Sequence, residues 1–154
     1  MILPSLTGPL TGLHDGLLRS IAVSEGHAAL GLTHVDGRRF ILKLSGVEAL
    51  CVDGFREGNT ISELEVVSGS DFDADSISAG DVLASLETLF PRPHQSAAEK
   101  YHADYNAFRD KQLARLKAGT ANLILLEPAY GADLLAYCSS VELILDGERA
   151  EDLG

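Results

Sequence analysis

The chain has 154 residues, no tryptophan, two cysteines and only 6% aromatic side chains. Stacking platforms for bases or sugars are therefore scarce, and the core must come mostly from Leu, Ile, Val and Ala. Cys51 and Cys138 lie far apart without CxxC spacing, so they give no zinc signature. Both sit in strand-like apolar stretches, where a free thiol behaves as a small buried hydrophobe in a reducing compartment. Positive charge is also short: 12 Lys and Arg stand against 23 Asp and Glu, a net charge of −11. That balance repels phosphate backbones and anionic lipid, which argues against nucleic-acid and membrane partners. No apolar run approaches the about 20 residues that cross a bilayer. Residues 1–5 lack the basic start and sustained apolar stretch of a secretory signal, so a cytoplasmic protein is expected.

Catalytic and cofactor signatures are missing as well. The five histidines show no HxH, HxxxH or HExxH spacing, which argues against a zinc or metalloprotease site. His14-Asp15 is an isolated dipeptide in a Gly-flanked loop, and the odd spacing of His27 and His34 puts them on opposite strand faces. There is no Gly-x-Ser-x-Gly elbow, and neither cysteine has a base or helix start beside it to lower its pKa. The glycines are scattered singly at turns, with no phosphate-cradling loop. No cofactor, no metal and no catalytic residue is expected.

What is present suits one domain over residues 1–154. The hydrophobic content is 45%, and a chain of this size buries roughly 70% of its unfolded surface. Residues 1–16, rich in Pro, Gly and Thr, read as an irregular arm, and residues 147–154 as a frayed acidic tail. Between them, strands are predicted at 17–24, 27–35, around Phe40, Leu42 and Leu44, at 47–52 and at 60–68. Glu25-Gly26 and Asp36-Gly37 supply tight turns, and broken alternation between Ile61 and Leu64 marks a bulge. Two helices follow. Ser78 with Asp81 opens the first, whose stripe is Val82, Leu83, Leu86, Leu89 and Phe90 and whose stop is Pro91. Ser96 with Glu99 opens a second, to about Ala118 and Gly119, with the stripe Ala97, Ala98, Tyr101, Tyr105, Phe108 and Leu116. Strands return at 121–127, 132–138 and 141–146. The first of these is apolar on both faces, as a central strand would be. The expected fold is α+β: an antiparallel β-meander of about five strands, two inserted helices, then about three returning strands, in a single sheet or a sandwich.

The closest approach to a chemical motif is Ser70-Asp71-Phe72-Asp73-Ala74-Asp75-Ser76. Set against a helix–loop–helix calcium loop, Asp71, Asp73 and Asp75 fill positions 1, 3 and 5. The turn glycine is replaced by Ser76 and the bidentate Glu by Val82. These aspartates read better as a turn leading into a helix, where acids favour the positive N-terminal dipole. Acidity is concentrated here: between Asp53 and Phe90 nine acids face Arg56 alone. Glu48, Glu63 and Glu65 are further carboxylates, read as outward polar faces of strands. Lys100, Lys111 and Arg115 run along one flank of the second helix, which leaves three readings: pairing with the acidic segment within the fold, pairing across a dimer, or simple solvation.

The reading that follows is a non-catalytic domain that binds a partner protein, or itself, through an acidic face. Asp71, Asp73, Asp75 and Asp81 form its densest part, and an inhibitor- or immunity-like role is one form of it. Weak cation or small-molecule binding at the Asp71/Asp73/Asp75 loop is the alternative. A hydrolase of unrecognised type is a further one.

Overall fold

A computed structural model describes Gly8, Pro9, residues 13–69 and residues 78–145, with backbone alone at 8–9 and 78–81. Alternation sets the inward faces. Strands β2 (Leu17–Ser24), β3 (His27–Thr33) and β4 (Arg39–Ser45) pair antiparallel in chain order. Ala28, Leu30, Leu32, Leu42 and Leu44 are buried because alternate side chains of a strand share one face. Glu25 and Gly26, at φ 46° and 76°, make the two-residue turn between β2 and β3, matching the right-handed twist of the strands. The next hairpin departs from the expected two-residue turn. Thr33 pairs with Arg39, so Asp36-Gly37 lies inside a loop over 34–38. There the Asp36 carboxylate accepts from the Arg38 backbone N–H at 2.9 Å and from its Nε at 2.7 Å, which favours the wider loop.

The meander stops at β4. Strand β5 (Ala49–Asp53) pairs instead with β8 (Asp133–Cys138), and β6 (Asn59–Val67) returns to lie between β2 and β7 (Asn122–Tyr130). Strand β9 (Ser140–Leu145) pairs with β4, giving the order β5-β8-β7-β6-β2-β3-β4-β9. A short β1 (Gly8–Pro9) adds to β6, so part of the expected irregular arm is strand. The bulge predicted between Ile61 and Leu64 is present, as a register shift between Ile61 and Glu63.

The two ends of that order meet. Chain continuity joins β4 to β5 through residues 46–48 and β8 to β9 through Ser139. The registers on either side, Ser45 with Ser140 and Ala49 with Tyr137, differ by a single residue. Hydrogen bonds carry the ladder through the corner: Ser139 N–H donates to the Ser45 carbonyl at 3.0 Å and Glu48 N–H to the Tyr137 carbonyl at 2.9 Å. The sheet therefore closes into a barrel in which β4–β5 and β8–β9 are each one bent strand. The extra residue of the bend is on the β4–β5 side, where residues 46–48 face 138–139, and β8 runs on into β9 through Ser139 without the expected hairpin turn.

The barrel interior holds Leu18, Leu30, Leu42, Leu64, Ile124, Leu134 and Cys138. A second cluster lies outside it, where α1 (Ser78–Leu89) and α2 (Glu99–Ala118) cover part of the outer face. Val82 and Leu86 of α1 and Leu116 of α2 meet Val67, Leu123 and Tyr137 there. Strand β7 is consequently apolar on both faces, as its Leu123-Ile124-Leu125-Leu126 run required. Asn59, a loop residue by composition, is buried and ties three segments together. Its Oδ1 accepts from the N–H of Arg56 at 2.7 Å and of Ala132 at 3.0 Å, and its Nδ2 donates to the Leu18 carbonyl at 3.2 Å. Gly131, at φ 91°, leaves room for that carboxamide, which a Cβ would strike.

The second helix ends as predicted and begins differently. Gly119 at φ 78° closes it, its N–H and that of Thr120 returning to the Leu116 and Arg115 carbonyls, a Schellman arrangement. At the other end Ala98 occupies the cap without a side-chain bond, and Ser96 Oγ instead lies 2.7 Å from His94 Nδ1. The expected stripe is also rotated: Tyr101 and Phe108 are exposed, while Gln112 and Leu116 are buried. Long polar side chains bridge α2 to the body, and they shift its contact face. Among the described residues no helix is long and apolar enough to cross a membrane.

Candidate functional site

The register of the sheet assembles an acidic row that the linear sequence does not display. Glu63 of β6 is directly opposite Glu127 of β7, and Asp133 of β8 is directly opposite Asp53 of β5. The pairing of Leu126 with Leu134 sets Glu127 next to Asp133 across the β7–β8 ladder. Four carboxylates thus cross four adjacent strands, on the outer face of the barrel, at strand spacings of about 4.8 Å. All four side chains are exposed, and Glu65 stands one alternation further along β6. Like charges directly opposed across strands destabilise the pair, so strand stability does not explain this choice of residues.

Beside the row lies a hollow of about 310 Å³, bounded by α1. Leu125 and Leu135 contribute apolar surface to it, Ala84, Ser85 and Thr88 line it from the helix, and Glu63, Glu65, Glu127 and Asp133 are its carboxylates. An apolar floor with an anionic rim matches the side chain of a lysine or arginine, whose methylene stem packs on hydrocarbon while its head stays charged. Among the described residues no three His, Cys, Asp or Glu side chains converge to hold a metal ion.

Of the residues singled out from sequence, Asp71, Asp73 and Asp75 lie outside the described residues. Asp81 falls in the first turn of α1, where the helix dipole favours an acid. Glu63 and Glu65 face outward as expected. Glu48 does not join them: it pairs with Arg115, whose NH1 lies 3.0 and 2.9 Å from its two carboxylate oxygens. Of the basic flank on α2, Arg115 thereby pairs inside the fold. The same guanidinium nitrogen donates to Gln112 Oε1 at 2.8 Å and lies with its carbon 5.5 Å from the centre of the Tyr137 ring. Tyr137 donates to the Gln112 carbonyl at 3.0 Å, and burial pushes its hydroxyl up to about 12.

A second cluster fastens α1 to α2. Glu87 accepts from Arg92 at 2.6 Å and from Arg109 at 3.4 Å, and the two cations hold its carboxyl below the usual range, with the Arg92 hydrogen bond the larger cause. Tyr105 donates to the Phe90 carbonyl at 2.6 Å, and Arg92 lies over its ring. Every member of these two networks meets another residue of the fold, and they read as helix fastenings.

The histidines His14 and His34 serve turns and strand ends. His14 Nδ1 meets the Ser62 carbonyl at 2.6 Å, and Asp15, at φ 65°, donates its N–H to Ile61. His34 Nδ1 lies 2.9 Å from Asp36 Oδ1 within the hairpin loop. The cysteines split. Cys138 is buried in the barrel, with its thiol pushed up to about 12 mainly by burial, as expected of a small hydrophobe. Cys51 is exposed and free, contrary to expectation. It pairs in register with Leu135 on the outer face of β5, which the helices leave partly open.

Glu127 and Asp133 were missed as site residues because each is an isolated acid at the end of an apolar run. Only the pairing of β6 with β7, and of β8 with β5, brings them to Glu63 and Asp53. The chain matches no family model, no curated protein and no solved structure.

Proposed function

We propose that this chain is a non-catalytic interaction domain that binds a basic partner protein through the outer face of β6, β7, β8 and β5. The observation that carries this reading is the row Glu63, Glu127, Asp133 and Asp53, whose mutual repulsion serves no purpose within the monomer. The adjoining hollow accepts a lysine or arginine side chain from that partner. A net charge of −11 steers such a domain onto cationic surfaces and speeds the encounter. Inhibition of a basic enzyme, as by an inhibitor or immunity protein, is the form this takes. Two free thiols and no disulfide suit a cytoplasmic setting.

The test is affinity capture from source lysate at low and moderate salt, with three baits: the natural chain, Glu63→Lys/Glu127→Lys, and Glu25→Lys as a charge control on the β2–β3 turn. A partner with an excess of Lys and Arg is expected on the natural chain and the control, lost from the double variant and released by salt. Recovery of no salt-sensitive partner, or equal recovery by all three baits, overturns the reading.

A further inference from the structure

Helix α2 carries two stripes. One includes Tyr105, Arg109, Gln112 and Leu116 and faces the body of the protein. The other, Tyr101, Asp104, Phe108 and Lys111, lies roughly 100° around the helix at 3.6 residues per turn; Phe108 also sets its ring edge-on against Phe90, 5.2 Å between centroids, and leaves the rest of the ring to solvent. All four of its residues are exposed, Tyr101 at 56% and Phe108 at 41%. Scattered exposed aromatics are ordinary on a protein surface, so exposure alone assigns nothing. The charges between them do more. Asp104 and Lys111 stand two turns apart, about 10 Å along the axis, too far to pair within one helix. Neither makes an ion pair with any described residue, although Arg109, Asp110 and Arg115 on the same helix all do.

Three of these residues, Asp104, Phe108 and Lys111, are self-complementary about Phe108, with opposite charges about one turn to either side. When a second α2 is laid antiparallel, with the two-fold axis at that residue, Phe108 meets the partner's Phe108. One turn away on either side, Asp104 then meets the partner's Lys111 and Lys111 the partner's Asp104. A parallel pairing would instead set Asp104 against Asp104 and Lys111 against Lys111. Self-complementarity about a two-fold axis is the requirement of an isologous interface, and edge-on or offset aromatic contact suits its centre.

We propose that α2 is the contact of a two-fold symmetric homodimer, with Phe108 on the axis and two reciprocal Asp104–Lys111 pairs flanking it. This surface is separate from the acidic row, and neither assignment depends on the other. Salt is an ambiguous probe, because it screens both these pairs and the repulsion between two acidic protomers. Charge exchange is not ambiguous.

Sedimentation velocity on the full chain at on the order of 100 µM should show a monomer–dimer equilibrium that follows mass action. Asp104→Lys and Lys111→Glu should each weaken the dimer by about tenfold or more, since each sets like charges together twice. The double variant Asp104→Lys/Lys111→Glu should return the dimerisation constant to within about threefold of the natural chain, because the pairs are restored with reversed polarity. Circular dichroism and urea midpoints check that each variant remains folded. A natural chain that is wholly monomeric at that concentration overturns the proposal. So do a dimer indifferent to either single change and a double variant as weak as the singles.

Discussion

Tyr137 and Cys138 are neighbours in the chain with side chains on opposite sides of the barrel wall, Tyr137 under the helices and Cys138 inside. Burial is the largest cause of a raised pKa in both, from 10.0 and 9.0 to about 12. In each case the neutral, protonated form is the one the fold keeps. The unfolded chain therefore releases these protons first as pH rises, and the folded state binds more of them, so stability falls with pH. Their contribution is complete below pH 9 and declines from there until the folded groups titrate near pH 12. Tyr105, raised mainly by its own burial, acts in the same direction. Urea midpoints measured across this range should fall steadily, and Cys138→Ala should delay the onset toward pH 10 while leaving the tyrosine part. A midpoint that stays level from pH 9 to pH 12 would show that these groups are not held in their neutral forms by the fold. The burial of Cys138 was legible in its apolar run. The exposure of Cys51 was not, because its side depends on which strand β5 joins.

The element that decides the architecture is the corner where β4 becomes β5. Gly46 sits there at φ 62°, and a Cβ on it would come within 2.8 Å of the Ser139 Cβ. Substitution by alanine therefore meets two separate penalties, the left-handed backbone and the collision. The first is about 1–2 kcal/mol for an L-residue, and Ser139→Gly should relieve only the second. A double-mutant cycle by urea unfolding should thus show Gly46→Ala costing clearly more in the natural background than in Ser139→Gly, where about 1–2 kcal/mol remains. Equal costs in both backgrounds would mean that Gly46 and Ser139 do not meet at the bend. Individual strands were largely readable here, since alternation at Phe40, Leu42 and Leu44 and the doubly apolar run at 123–126 depend only on local pattern. Topology was not readable. Gly46 was visible as an interruption, but an interruption ends a strand as readily as it bends one. The choice is made by Ser139, more than ninety positions away in the chain. The stripe of α2 was misread for a related reason. Arg109 and Arg115 are polar, yet their guanidinium groups reach Glu87 and Glu48, and the Gln112 backbone carbonyl accepts from Tyr137, so the contact face follows these bonds and not the apolar periodicity.

Across the whole molecule, the excess of acid over base was legible from composition, and its arrangement was not. The aspartates at 71, 73 and 75 drew attention because they are adjacent in sequence. Glu63, Glu127, Asp133 and Asp53 become adjacent only when β6, β7, β8 and β5 pair side by side. The row also separates function from stability in a way that can be measured. If the acids are there for a partner, the free protein carries an unrelieved repulsion, and reversing one charge should stabilise it. Glu127 is the best position, because Glu63 lies directly across one ladder and Asp133 beside it on the other. Glu127→Lys converts both contacts from repulsive to attractive. Cross-strand charge pairs contribute about 0.2–1 kcal/mol each, so a gain of about 0.5–1.5 kcal/mol in urea unfolding is expected at low salt, shrinking as salt screens exposed charges. A control reversal at Glu25, on the β2–β3 turn away from the row, should change stability by less than about 0.5 kcal/mol. A protein whose acids served general solubility would respond alike to the two reversals. A stability gain confined to Glu127→Lys, together with loss of the basic partner, is the signature of a surface kept repulsive for binding.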